Sequence, residues 1–136
     1  NIPANRRWAP AEQFFRKGKN SSKLEEDSMD HEQVLVIEEG EKLFLLSGCS
    51  HRGVIPILEH VKREFPDKKI SALVAGMHLY ALDGAGRKDI MDELKKFRLE
   101  YILPLHCTGR MATMDLKLCF PETCVLASTG QTLILE

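Results

Sequence analysis

Three of the five histidines hold equivalent places along the chain, and the chemistry is expected there. His51 comes a few residues after an apolar run ending near Leu46. His78 follows a run ending near Val74, and His106 directly follows one ending at Leu105. Neutral imidazole is a good ligand for zinc and similar ions. Three imidazoles delivered by three separate loops to one edge would make a metal site. The residues around them share a small, polar character: Ser47-Gly48-Cys49-Ser50-His51, Ala75-Gly76-Met77-His78 and His106-Cys107-Thr108-Gly109-Arg110. Gly48 permits a tight bend, and Ser50 and Thr108 stand where they could cap the helices that follow. Helix N-termini attract anions, and Arg52 and Arg110 would add charge there. Arg52, Thr108 and Arg110 are therefore candidate contacts for a phosphate or carboxylate on the same edge.

Other polar residues take plainer readings. Cys49 and Cys107 each lie close to a histidine and are read as small buried residues, with soft metal ligands as the alternative. A thiol activated by imidazole, Cys49 with His106 or Cys107 with His51, is a further arrangement of the same groups. Cys119 and Cys124 do not form a C-x-x-C pair. His60 falls off its helix's apolar stripe and is read as solvent-facing, and His31 as a surface residue. Met111 and Met114 stand at core spacing and are assigned to packing. Asp83, Asp89 and Asp92 belong to a loop and a solvated helix face.

The three histidines can meet only if the strands that feed them point the same way. Residues 33–38 and 43–46 read as a hairpin through Glu39-Gly40-Glu41. A helix over 54–65 places Val54, Ile57, Leu58, Val61 and Phe65 on one face and stops at Pro66-Asp67. Residues 70–74 form a buried strand, 87–98 a helix with Ile90, Leu94 and Phe97 inward, and 101–105 another strand. A short helix over 109–118 turns Met111, Met114 and Leu118 inward. Strands over 125–127 and 132–135 follow, with Thr129-Gly130 as a tight turn. Strands alternating with helices predict an α/β layer with a largely parallel centre. In open α/β sheets ligands bind at the carboxyl ends of the strands, where all three histidines would lie.

Residues 1–31 differ from this domain of 32–136. Charge is mostly basic up to Lys23 and turns acidic at Glu25, Glu26, Asp27 and Asp30, with Trp8, Phe14 and Phe15 as the only large apolar anchors. No period is sustained, so an irregular arm is expected, solvated rather than anion-binding. The whole chain has 136 residues, 43% hydrophobic and 29% charged, with a formal net charge of −1. These values fit one globular domain and give no overall pull toward nucleic acid or an anionic membrane. No apolar run approaches the roughly 18 residues that span a bilayer. Four cysteines in this length do not read as a disulfide scaffold. Reduced thiols and a cytoplasmic setting are expected. The opening NIPANRRWAP has no apolar leader core and begins with Asn, as a processed or truncated piece would.

The three loops together resemble the metallo-β-lactamase superfamily. The motifs are Leu45-Leu46-Ser47-Gly48-Cys49-Ser50-His51-Arg52-Gly53, Ala75-Gly76-Met77-His78-Leu79 and Pro104-Leu105-His106-Cys107-Thr108-Gly109. The branch they are most similar to is that of the dihydropterin ribofuranosyl-aminobenzene phosphate synthase-like metallohydrolases, over residues 30–136. That resemblance implies an αββα sandwich of two similar halves with a two-metal site between the sheet edges. It implies that His51 and His106 are metal ligands. His78, near where the superfamily has a bridging Asp, would be a ligand or a substrate contact. The metal would be zinc, with manganese or iron as alternatives. The family's H-x-H-x-D-H motif belongs to the N-terminal half, and no two histidines here are even two residues apart. The expectation is therefore the C-terminal half of such a domain, a mixed sheet with helices. It would act, when complete, on a phosphate-bearing or other anionic small molecule, and it would be inactive alone. Its partner would be the missing N-terminal half or a second copy. A non-catalytic half-domain serving in assembly or ligand binding is the other reading.

Overall fold

The computed structural model describes residues 14–18 and 23–135. The rest of the arm, including Trp8 and the basic residues Arg6, Arg7 and Lys19, lies outside them. Within the arm, β1 (Phe14–Lys17) pairs antiparallel with β2 (Leu24–Asp27). This corrects the irregular reading. Four-residue strands with mostly exposed side chains carry too little alternation to register as a period.

The main sheet starts as the expected hairpin, β3 (Val34–Glu39) against β4 (Lys42–Ser47). Gly40 turns between them at φ 57°, a conformation that favours glycine. Helix α1 (Val54–Glu64) leads to β5 (Lys69–Ala75), and α2 (Gly84–Lys95) leads to β6 (Tyr101–Pro104). The order is β3-β4-β5-β6, and β4, β5 and β6 are parallel. A 3₁₀ turn over His106–Thr108 enters α3 (Arg110–Cys119). The three histidine loops therefore leave one edge of the sheet. Among the described residues no helix is long and apolar enough to cross a membrane.

One face of this sheet holds the core. Leu43, Leu45, Ile70, Leu73, Ala75 and Ile102 from the strands pack with Val54, Ile55, Leu58 and Val61 of α1 and Ile90, Met91 and Leu94 of α2. Ala112 and Leu116 of α3 join the same cluster. Strand side chains alternate between faces. Leu35, Ile37, Phe44 and Leu46 therefore lie on the opposite face, where Leu35, Ile37 and Leu46 are exposed.

Three details differ from expectation. Helix α2 begins at Gly84 rather than Arg87, because the Asp83 carboxylate accepts the Gly86 N–H at 2.8 Å and caps it. Helix α3 buries Ala112 and Leu116 and leaves Met111, Met114 and Leu118 in solvent. At its N-cap, Gly109 lies against Tyr80, where a Cβ would stand 2.7 Å from Tyr80 Cα. Beyond α3 no strand forms among the described residues. The Ile102 N–H donates to the Thr123 carbonyl and the Val125 N–H to the Ile102 carbonyl, both at 2.9 Å, around a single bridge at Cys124, and the turn at Thr129-Gly130 forms as expected. β6 is only four residues long and offers little edge to extend, and Leu126 and Ile134 stay exposed.

Candidate functional site

The three loops are tied to one another by backbone groups before any side chain is considered. The Gly76 N–H donates to the Gly48 carbonyl at 2.8 Å, and the Leu105 N–H donates to the Ala75 carbonyl at 2.8 Å. Thr108 is fully buried. Its Oγ1 accepts the Met77 N–H at 3.2 Å and donates to the Ala75 carbonyl at 3.4 Å. Thr108 thus joins the second and third loops and does not cap α3, whose N-cap is Gly109. Ser50 likewise does not cap α1. It is fully buried, with its hydroxyl 2.9 Å from that of Ser47, and Gly53 takes the N-cap position. Ser50 and His78 adopt left-handed φ values of 54° and 52°. Non-glycine residues hold that region only where surrounding contacts over-determine it, and both lie in these loops.

On this frame the structure brings together side chains from all three loops. The rings of His51 and His78 are 4.9 Å apart. Phe14, from the arm, lies 4.5 Å from the His51 ring and 5.7 Å from the His78 ring, and Tyr80 lies 5.1 Å from His78. His106 is exposed, with its Nε2 3.1 Å from Cys49 Sγ, so one of the two thiol–imidazole pairs is formed. The donor atoms of Cys49, His78 and Cys107 all come within 4.8 Å of one another. Burial pushes the Cys107 thiol up to about 11, which argues against it as a nucleophile near neutral pH. His31 sits on the surface near Asp27, as expected.

The candidate anion contacts fare differently from one another. Arg110 is exposed at the start of α3. Arg52 is buried and turned toward the arm, where a guanidinium N–H donates to the Ser28 carbonyl at 3.2 Å. That placement makes Arg52 and Thr108 supports of the loops.

Sequence reasoning missed Glu32. Its carboxylate accepts the His51 N–H at 2.5 Å and the Arg52 N–H at 2.8 Å, and lies 3.5 Å from His51 Nδ1. A carboxylate so placed holds the loop and orients the ring, as outer carboxylates do for metal-binding histidines. Nothing local signals this, since Glu32 lies 19 residues from His51.

No family model matches the chain. A stretch of 83 residues is 30% identical to 7,8-dihydropterin-6-methyl-4-(beta-D-ribofuranosyl)-aminobenzene-5'-phosphate synthase of Methanocaldococcus jannaschii. It covers 61% of this chain and 28% of that protein. An uncharacterised protein of the same organism is 33% identical over 75 residues, 55% of this chain and 28% of its own length. The crystal structure of a metal-dependent hydrolase of the beta-lactamase superfamily superposes with a TM-score of 0.86 at 30% identity. The match covers 98% of this chain and 51% of that one. The resemblance read from the three loops is borne out. The chain is similar in fold and sequence to beta-lactamase-superfamily hydrolases, on the dihydropterin branch, and spans about half the length of its structural neighbour.

The residues present fit a metal ion. They offer imidazole and thiol donors packed closely around Gly76, where a Cβ would lie 2.6 Å from Cys107 Sγ and 3.2 Å from His106 Cε1.

Proposed function

We propose that the chain forms the C-terminal part of a metal-dependent hydrolase that acts on a phosphate-bearing or other anionic small molecule when complete. The observation that carries this reading is the convergence of the His51, His78 and His106 loops on one rim of parallel strands, in a chain half the length of a metal-dependent hydrolase with the same fold. His51 and His106 are the metal-holding residues of this reading, and His78 is a ligand or substrate contact. When bound, a divalent metal supplies an activated water and a Lewis acid. Glu32 keeps the His51 ring oriented, Phe14 packs on the His51 and His78 rings and Tyr80 on that of His78, and Arg110 offers a cation to the substrate's anionic group. Zinc suits this donor set better than manganese, because thiols and imidazoles are softer than the oxygen ligands manganese prefers.

Half of the ligands of a two-metal centre belong elsewhere in this reading, so the chain alone is inactive. Loaded in turn with zinc, manganese and iron, it is expected to show little or no turnover of a generic phosphodiester. Robust turnover that disappears in His106→Ala overturns the half-domain reading. The exposed Leu35, Ile37 and Leu46 favour a second reading, a half-domain that serves in assembly. Metal content separates the two. Near-stoichiometric metal in carefully prepared protein supports the hydrolase, and its absence supports assembly.

A further inference from the structure

We propose that Cys49, His78 and Cys107 form a thiolate-rich site for a single thiophilic divalent metal, with His106 as its fourth ligand. The three come from the β4–α1, β5–α2 and β6–α3 loops, and their donor atoms lie within 4.8 Å of one another. His106 Nε2 is already 3.1 Å from Cys49 Sγ. A tetrahedral zinc with Zn–S bonds of about 2.3 Å holds its sulfurs about 3.8 Å apart. The Cys49, His78 and Cys107 donors therefore need to close by up to about 1 Å, within the reach of side-chain torsions, and His106 joins them through its contact with Cys49.

Charge and softness agree with this assignment. Each thiol gives up its proton to solvent as its sulfur takes the metal, so two thiolates balance a dication in a half-buried position. Four nitrogen and sulfur donors select zinc, or cobalt as its spectroscopic substitute, over magnesium, calcium and manganese. The site rests on the placement of these four residues and does not require the hydrolase reading. It assigns to the two cysteines a role that their loops' resemblance does not.

The test is a titration of the chelator-treated chain with cobalt(II). The expected result is one equivalent bound, with the visible bands of tetrahedral cobalt and a near-ultraviolet thiolate-to-metal charge-transfer band that zinc abolishes. That band is expected to fall by about half in Cys49→Ser and in Cys107→Ser. Zinc affinity should fall at least tenfold in His78→Asn, where Asn tolerates the left-handed backbone. Alkylation of the unaltered protein gives a readout free of folding effects: zinc protects Cys49 and Cys107, while the exposed Cys119 stays reactive. Cobalt bound without charge transfer, or alkylation of Cys49 and Cys107 unchanged by zinc, overturns the thiolate site and leaves a metal held by imidazoles alone standing. A band kept in both serine variants also overturns it. No binding of any metal removes both.

Discussion

At the scale of single residues, the groups that support the rim matter as much as those that face it. Glu32 satisfies two backbone N–H groups that have no other acceptor in the loop's hydrogen-bond pattern. Leaving buried donors unsatisfied costs about 1–3 kcal/mol. Glu32→Ala is expected to lower stability by that amount in urea denaturation. Gly76 is constrained from the other side. A methyl group there would meet the Gly48 carbonyl at 2.4 Å, against backbone that is itself hydrogen-bonded to Gly76. Gly76→Ala is expected to cost about 1–3 kcal/mol as an overpacking change, read as a lower urea midpoint, and to reduce metal uptake. The histidines were legible in the sequence because imidazoles after successive apolar runs form a pattern. Glu32 was not, because a carboxylate that acts on residues 19 positions away leaves no local mark.

At the scale of elements, the strand–helix order was readable throughout the main sheet, and the errors fall at ends and on faces. α1 carries enough apolar residues to fix both its bounds and its buried side. α3 carries two candidate stripes, Met111-Met114-Leu118 and Ala112-Leu116, and the larger one is exposed. The end of the sheet opposite the rim is held differently, by charge. Glu100 lies 2.5 Å from Lys69 and 3.3 Å from Lys42. The Lys69 hydrogen bond, followed by that of Lys42, holds the Glu100 carboxyl below the ordinary carboxylate range. A carboxyl lowered on folding adds stability above its unfolded pKa, near 4.3, and that stability is lost as pH falls through the folded value. Lys69→Met is therefore expected to destabilise the chain by about 1 kcal/mol or less at neutral pH. Denaturant midpoints of the two proteins should converge in acid, below the ordinary carboxylate pKa.

At the scale of the whole molecule, the described helices share one apolar cluster with the main sheet. The opposite face carries Leu35, Ile37 and Leu46 in the open. Apolar residues clustered on one sheet face favour association. Self-association of the chain is expected in size-exclusion chromatography with light scattering. A Leu35→Lys, Ile37→Lys double variant should run as a monomer without loss of its urea midpoint, since both residues are exposed. A clean monomer for the unaltered chain counts against pairing of two copies.

Periodicity and turn residues alone determined the α/β order, the parallel direction of the central strands and the rim on which His51, His78 and His106 gather. Those signals are local, and parallel crossovers turn them into a shared edge without further information. Which atoms meet on that rim was decided only by tertiary structure. Cys49 and Cys107 approach His78, Phe14 reaches in from the arm, and Arg52 bonds to the arm at Ser28. Each of these depends on loop conformations set by hydrogen bonds between distant segments, such as Gly76 to Gly48 and Met77 to Thr108. Side-chain chemistry read along the chain therefore finds the neighbourhood, and long-range backbone pairing chooses the neighbours.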